Sequence, residues 1–202
     1  MNNKETITLV KEHRISADKS WGDLYYHVIP KVVNDNKCLI GVEIGVAFGG
    51  HAEAILSNTN IEKLYCVDAF QHYDGSTDSF FLLNKQPYRQ PEYNALYELT
   101  KERLEKFGDR QILMREYSDA AYDIIDEKID FVFIDAQHTY SAVLNDISKW
   151  YEKIKVGGIL SGHDYNHPNF PGVTTAVDEF LSEKNLKLET EVGHVWWAKK
   201  TQ

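Results

Sequence analysis

The chain has 202 residues, of which 43% are hydrophobic and 26% are charged, and its formal net charge is −9. This length suits one substantial hydrophobic core and is short for two, so we expect a single domain over residues 1–202. Nucleic-acid-binding modules usually carry a basic face, so the acidic balance argues against a nucleic-acid partner and favours a small-molecule substrate. The sequence shows no basic-then-apolar leader and no apolar run of about 20 residues, so we expect a cytoplasmic protein without a membrane partner. Composition leaves assembly into a homo-oligomer open.

Apolar strand-like runs alternate with longer amphipathic stretches, which predicts an α/β fold with a mostly parallel sheet flanked by helices. A helix from about Trp21 to Asn34 is expected within an N-terminal helical extension, residues 1–36. The strands are expected, in chain order, at Cys38–Ile44, Lys63–Val67, Gln111–Arg115, Phe131–Ile134, Gly158–Gly162, Leu186–Thr190 and His194–Ala198. Only Val192-Gly193 and a few neighbours separate the last two strands, which is too short for a helical crossover and predicts an antiparallel hairpin at the sheet edge.

Four further helices are expected at about His51–Ser57, Glu92–Phe107, Tyr140–Lys155 and Val173–Ser182. The Gly157-Gly158 pair is interpreted as the signal that ends the third of these. The chain from Phe70 to about Phe107 interrupts the strand–helix rhythm and is interpreted as a cap-like insertion. Its first part carries the aromatic and imidazole side chains His72, Tyr73, Phe80, Phe81 and Tyr88. Such a connection forms either an active-site lid or a segment that simply packs onto the domain.

The first strand runs into a glycine-rich turn and then a helix, an arrangement typical of nucleotide-binding sites. The small residues of the turn are Gly45, Ala47, Gly49 and Gly50. Asp68 closes the second strand, where a carboxylate can accept hydrogen bonds from a ribose diol. The same spacing fits a dinucleotide-binding fingerprint, so an NAD(P)-dependent oxidoreductase stays open as an alternative. Against it stand the expected antiparallel hairpin at the sheet edge and the acidic residue Asp135 at the end of the fourth strand.

Two further carboxylates follow neighbouring strands. Asp135 ends the fourth strand, and His163-Asp164 follow the fifth. Because ligands of open α/β sheets bind at the carboxyl ends of the strands, these side chains are candidates for the functional site.

With these residues in place, the chain resembles the class I S-adenosylmethionine-dependent methyltransferases. The features that carry the resemblance are the Glu43-x-Gly45-x-Ala47-x-Gly49 loop, Asp68, Asp135, the Gly157-Gly158 turn and the antiparallel last pair of strands. Within that class, residues 134–140 and 157–165 look like the branch of the macrocin and related antibiotic-sugar O-methyltransferases. The resemblance implies a Rossmann-like three-layer sandwich, with a seven-stranded sheet of order 3-2-1-4-5-7-6 and an antiparallel strand seven. It also implies methyl transfer from S-adenosylmethionine to a hydroxyl of a small molecule, with a non-catalytic S-adenosylmethionine-binding protein as a further alternative.

The resemblance assigns cofactor-binding roles along the chain. Gly45, Ala47 and Gly49 would lie under the methionine part of the donor, with Glu43 near its ammonium group. Asp68 would bind the ribose, Ala69 and Phe70 would border the adenine, and Ser118 would contact the adenine amine. Asp135 would border the donor as well.

In several members of the class a divalent cation lies beside the donor. Asp135 and Asp164 offer oxygen ligands of the kind that Mg²⁺ prefers. His163 takes the place of an acidic or amide ligand in similar enzymes, and imidazole suits Mn²⁺, Fe²⁺ or Zn²⁺ better. We therefore expect a Mg²⁺ or Mn²⁺ site of Asp135, Asp164 and His163, the alternative being that they are ordinary polar residues of the substrate pocket.

Methyl transfer to oxygen requires removal of the hydroxyl proton. His138 is the preferred candidate for the base, since the unperturbed pKa of histidine lies near neutrality, and His163 is the second. The alternative for His138 is that it caps the helix that begins near Thr139.

Overall fold

The computed structural model describes residues 3–72, 82–83 and 86–202. The helices are α1 (Asn3–Gly22), α2 (Val28–Asp35), α3 (Gly50–Asn58), α4 (Gln90–Leu104), α5 (Ser118–Ile124), α6 (Tyr140–Lys153) and α7 (Pro171–Glu183). The strands are β1 (Ile40–Ile44), β2 (Lys63–Val67), β3 (Leu82–Leu83), β4 (Gln86–Pro87), β5 (Gln111–Met114), β6 (Ile129–Ile134), β7 (Ile154–Gly162), β8 (Glu189–Glu191) and β9 (Val195–Lys199). None of the helices within these ranges has the length and apolar character needed to cross a bilayer.

Seven of the strands form one sheet in the order β5-β2-β1-β6-β7-β9-β8. The first five are parallel to one another, whereas β9 runs antiparallel to both β7 and β8. Counting only the strands of this sheet in chain order gives 3-2-1-4-5-7-6, so the predicted topology, the antiparallel strand seven and the edge hairpin are confirmed. The parallel strands all end at one edge, which is where the fold can place a ligand.

Both faces of the sheet are covered, and β6 shows how the sequence achieves this. Val132 and Ile134 pack with α5, α6 and α7, whereas Phe131 and Phe133 pack with α2 and α3. Successive side chains of a strand point to opposite faces, so a strand buried on both sides reads as a continuous apolar run. All four side chains are almost fully buried.

The N-terminal part of the chain differs from the expected helix at about Trp21 to Asn34. A helix, α1, precedes that region, and α2 begins only at Val28. The break has a physical reason, because Pro30 lacks a backbone N–H and is tolerated in the first turn of a helix but not in its interior. Most residues of α1 are polar, and its apolar positions are too sparse to give a helical period.

Two details of the later elements also differ from expectation. The short helix α5 was not anticipated, and Gly157 does not end α6, which stops at Lys153. Gly157 lies inside β7 with φ +85°, where the register against β6 shifts between Ile129 and Phe131. Extra residues in one strand of a pair, here three in β7, produce such a bulge, and glycine accommodates the left-handed conformation that it needs.

The described part of the insertion packs against α1. Val10, Phe48, Tyr88 and Leu96 belong to one buried cluster that joins α1, the loop after β1 and α4. Tyr73, Phe80 and Phe81 of the expected cap lie outside the described residues.

Gly45 and Gly157 give a matched test of why the first turn needs glycine. Both have a positive φ, +90° and +85°, but a Cβ at Gly45 would lie 1.9 Å from the Asp135 carbonyl oxygen, whereas nothing lies within 4 Å at Gly157. We expect Gly157→Ala to lower the free energy of unfolding by about 1 kcal/mol through backbone strain alone. Gly45→Ala should lower it by more than about 3 kcal/mol, because the ends of β1 and β6 must also separate. Urea denaturation measures both values, and equal losses would contradict the close approach.

Candidate active site

A cavity of about 380 Å³ opens at the carboxyl edge of the parallel strands. Its lining includes residues that directly follow β1, β2, β5, β6 and β7. Of the predicted cofactor-binding residues, Gly45, Asp68, Ala69, Phe70, Ser118 and Asp135 line it. The predicted metal and catalytic residues His138, His163 and Asp164 line it as well. The fold therefore brings most of the predicted site together in one cavity.

Asp68, at the wall of the cavity, connects the loops that follow β1 and β2 through two hydrogen bonds. Its Oδ2 accepts a hydrogen bond from the backbone N–H of Ala47 at 2.9 Å, and its Oδ1 accepts one from that of Phe70 at 2.8 Å. Burial raises the pKa of Asp68, and these two backbone donors oppose that effect. Each carboxylate oxygen can accept more than one hydrogen bond, so both retain capacity for ligand hydroxyls.

Three predicted cofactor residues, Glu43, Ala47 and Gly49, are placed beside the cavity rather than on its lining. Glu43 is 2% exposed, and its Oε1 lies 3.4 Å from Nδ1 of the buried His51. Its Oε2 has no hydrogen-bond partner among the described residues. Burial raises the pKa of this carboxyl, and His51 offsets only part of that effect.

Two carboxylates and two imidazoles meet at one end of the cavity. Nε2 of His138 lies 2.8 Å from Oδ2 of Asp164 and 4.0 Å from Oδ1 of Asp135. Nδ1 of His163 lies 3.2 Å from Oδ1 of Asp164 and 3.8 Å from Oδ1 of Asp135. One ligand atom each from Asp135, His138 and Asp164 lies within 4.8 Å of the other two, which is close enough for all three to reach one ion. This group contains His138 where the sequence predicted His163.

The four groups shift one another's titration. Burial raises the pKa of Asp135, and the nearby histidines only partly offset that effect. Burial alone would raise the pKa of Asp164, but hydrogen bonds from His138 and His163 outweigh it and hold the pKa well below its ordinary value. Burial alone would lower the pKa of His163, but Asp135 and Asp164 outweigh it and raise the pKa. The electrostatic coupling favours an ionised Asp164 beside a His163 that binds a proton readily.

His138 does not cap the following helix. That role belongs to Thr139, whose Oγ1 accepts a hydrogen bond from the Ala142 N–H. The His138 ring instead stacks on Phe170, with the ring centroids 4.0 Å apart and the planes 17° from parallel.

Three of the seven described non-glycine residues with a positive φ lie in or beside the cavity. Ala47, Phe70 and Asp164 have φ angles of +48°, +45° and +61°, values that non-glycine residues rarely adopt. Such strain persists only where the surrounding structure enforces it, and it is commonly found at functional sites.

The N-terminal segment contributes two cavity residues that the sequence did not indicate, Trp21 and Tyr25. The Tyr25 ring stacks on His163, with the centroids 4.1 Å apart and the planes 27° from parallel. Its hydroxyl donates to Oδ2 of Asp135 at 3.4 Å. Burial and the charge of Asp135 raise the pKa of Tyr25 well above its ordinary value, so the phenol remains a donor. The only signal in the sequence is the helical i, i+4 spacing of two aromatic residues.

The chain is similar to one protein family and to one viral protein. The model of a family described as a methyltransferase domain matches residues 40–165. The uncharacterized protein R132 of Acanthamoeba polyphaga mimivirus is 25% identical over 166 residues, which are 79% of this chain and 68% of that protein.

Solved structures share the fold at much lower identity. An O-methyltransferase from Bacillus cereus, solved with S-adenosylhomocysteine, aligns with a TM-score of 0.64 at 12% identity, covering 97% of this chain and 91% of that one. An rRNA methylase from Streptococcus thermophilus aligns with a TM-score of 0.57 at 16% identity, covering 88% and 94%. At these identities the likeness is one of fold.

Tyr25 offers a direct test that the N-terminal segment completes the site. It is 5% exposed, so Tyr25→Ala should lower the free energy of unfolding by about 3–5 kcal/mol through loss of a buried ring. Tyr25→Phe keeps the stacking and removes one long hydrogen bond, for which we expect a loss of about 1 kcal/mol. Leu24→Ala, in the same turn but half exposed, is the control and should cost less than either. Chemical denaturation distinguishes these values, and a Tyr25→Ala protein as stable as the control would contradict the packing.

Proposed function

Because the chain belongs to the methyltransferase-domain family, we propose that it transfers the methyl group of S-adenosylmethionine to a hydroxyl group of a small molecule. In this reaction the sulfur–methyl bond breaks, an oxygen–methyl bond forms, and the hydroxyl proton passes to a base. Alignment of donor and acceptor supplies much of the rate enhancement in such a displacement. The observation that carries the proposal is the single cavity that joins Asp68 to the cluster of Asp135, His138, His163 and Asp164.

Asp68 is the proposed anchor of the donor ribose. Its two backbone hydrogen bonds fix the carboxylate between the loops after β1 and β2. Gly45 adds to the fit, since any side chain there would collide with the backbone after β6. Because Gly45 lines the cavity without a side chain, a donor can approach its backbone closely.

At the other end of the cavity, Asp135, His138 and Asp164 are the proposed ligands of a divalent cation. Two carboxylates and one imidazole suit Mn²⁺, Fe²⁺ or Zn²⁺ better than Mg²⁺, so His138 is proposed as a ligand and no longer as the base. When bound, such a cation would lower the pKa of a substrate hydroxyl.

His163 is the proposed proton acceptor. Its Nδ1, on the side of the ring that faces Asp135 and Asp164, would accept the hydroxyl proton, and the two carboxylates would stabilise the imidazolium that forms. The backbone of Gly193 lies on the opposite side of the ring and also raises the pKa, although it does not make a well-formed hydrogen bond with the buried Nε2. Tyr25 covers one face of the ring and holds it in place.

The size and charge of the site support a small acceptor. The cavity holds about 380 Å³, and six acidic residues line it: Asp68, Glu116, Asp119, Asp135, Asp146 and Asp164. The chain as a whole carries a net charge of −9, which would repel a phosphate backbone. The rRNA methylase from Streptococcus thermophilus shares the fold, and its name indicates an RNA substrate. The net charge of this chain disfavours a substrate of that kind.

The donor site can be tested by calorimetry with S-adenosylhomocysteine and NADH. We expect the protein to bind the first and not the second, since the family match favours methyl transfer over hydride transfer. Asp68→Ala should weaken S-adenosylhomocysteine binding about 100-fold, because two hydrogen bonds to a charged acceptor are lost. Asp123→Ala, which removes an exposed carboxylate of α5, is the control. NADH binding, or wild-type affinity in Asp68→Ala, would contradict the proposed donor site.

Cation binding and proton transfer can be tested in two separate measurements. Manganese titration should show binding that His138→Ala and Asp164→Asn each weaken at least tenfold and that His163→Gln preserves. Turnover of a hydroxyl-compound library should fall about 10²–10⁴-fold in His163→Gln, as expected for loss of a general base. His27→Gln, an exposed histidine outside the cavity, controls for loss of an imidazole.

Each alternative predicts a different pattern. Full turnover in the presence of a chelator and in Asp164→Asn would exclude the cation. Tight S-adenosylhomocysteine binding with no turnover on any acceptor would favour a non-catalytic binding protein.

A further inference from the structure

Another buried carboxylate, apart from Asp68 and the proposed catalytic cluster, borders the cavity. Asp146 lies on α6, is 7% exposed, and lines the cavity together with Ser118 at the start of α5. The family resemblance gives Asp146 no role, and the proposed chemistry does not use it.

The hydrogen bonds around Asp146 fix the direction of each proton. Ser118 Oγ donates to Oδ1 of Asp146 at 2.6 Å, and the fully buried Trp150 donates through Nε1 to Ser118 Oγ at 2.9 Å. The indole nitrogen is only a donor, so Ser118 accepts from Trp150 and its single hydroxyl proton goes to Asp146. Ser118 therefore has no proton left for a ligand.

Among the residues that the structure describes, Asp146 forms no ion pair. Lys149, the neighbouring base on α6, lies 2.6 Å from Oδ1 of the exposed Asp119 instead. Within the described part of the chain, Ser118 is the hydrogen-bond donor to Asp146. Burial raises the pKa of Asp146 to about 6, which leaves the group mostly ionised at neutral pH.

A purely structural link between α5 and α6 would use only one carboxylate oxygen. Oδ1 makes that link, and Oδ2 retains its full capacity to accept hydrogen bonds at the cavity wall. Burying a carboxylate with one neutral donor is unfavourable unless a further donor reaches it. A ligand in the cavity can supply that donor through an N–H or O–H group.

We propose that Asp146 accepts a hydrogen bond from the exocyclic 6-amino group of the donor's adenine and thereby selects a 6-aminopurine. This inference rests on the proposed function, because the adenine belongs to S-adenosylmethionine. It refines the role expected of Ser118, which acts here by holding Asp146 in position. A 6-oxopurine would place a carbonyl oxygen against the carboxylate, and two acceptors repel each other.

S-adenosylhomocysteine and its 6-oxo analogue, S-inosylhomocysteine, test this selection by calorimetry. We expect the wild type to prefer the amino compound by about tenfold or more, in line with other polar base-edge contacts. Asp146→Asn keeps an oxygen for Ser118 and replaces the other with an amide donor, so the preference should shrink or reverse. Asp146→Ala should lose the preference, whereas Glu152→Gln, an exposed charge removal on the same helix, should retain it.

The outcomes separate the two levels of the proposal. If the wild type binds both compounds equally, or if the Asp146 variants weaken both by the same factor, Asp146 only links the helices and the inference is wrong. If the wild type binds neither compound, the proposed function fails and this inference fails with it. Thermal melting of Asp146→Asn, which preserves the bond to Ser118, verifies that altered selectivity comes from a folded protein.

Discussion

The backbone hydrogen bonds that continue the parallel ladder just past the strand ends hold the whole site in register. Asp68 N–H donates to the carbonyl of Met114, Gly45 N–H to that of Val67, and Asp135 N–H to that of Ile44. His163 N–H donates to the carbonyl of Ile134 and adds the fourth step. Each residue that follows a strand is thus fixed against the neighbouring strand, so the loops begin from a rigid row. The side chains of Asp68, Asp135 and His163 therefore inherit their spacing from the sheet.

The row of strand ends brings the carboxylates of Asp135 and Asp164 close together, and nearby histidines offset their repulsion. Asp135 and Asp164 would repel each other in a dry site, but His138 and His163 lie between and beside them. The histidines stabilise ionised Asp164 while the pKa of Asp135 stays raised, so the negative charge is distributed unevenly. Groups whose environments push their pKa values apart are well suited to separate roles in binding and proton transfer.

The sequence predicted the parts of this molecule that depend on local pattern. β2 was predicted at its observed bounds, because a short apolar run between polar residues has few other interpretations. Asp68 and Asp135 were identified because each directly follows a buried strand, and Asp164 because it comes two positions after one. Within the expected helical extension of residues 1–36, the sequence pattern did not predict the bounds of α1, because its burial comes from α4, about 80 residues away. The expected helix from about Trp21 also began too early, because Pro30 is tolerated only in the first turn of a helix. The contact of Tyr25 with Asp135 spans 110 positions and leaves no local trace. The choice between His138 and His163 as metal ligand depends on distances of a few ångströms, which spacing along the chain does not determine.

Tyr25 gives the N-terminal segment an electrical role in addition to its packing. The phenol covers one face of His163 and donates to Asp135, so it occupies space that water would otherwise fill. Water screens charges far more strongly than protein does, and its exclusion strengthens every interaction among the carboxylates and imidazoles below. A segment that carries none of those charges thereby sets how strongly they act on one another. Tyr25, which excludes water from the site, lies 110 positions before Asp135, one of the charged groups that it covers.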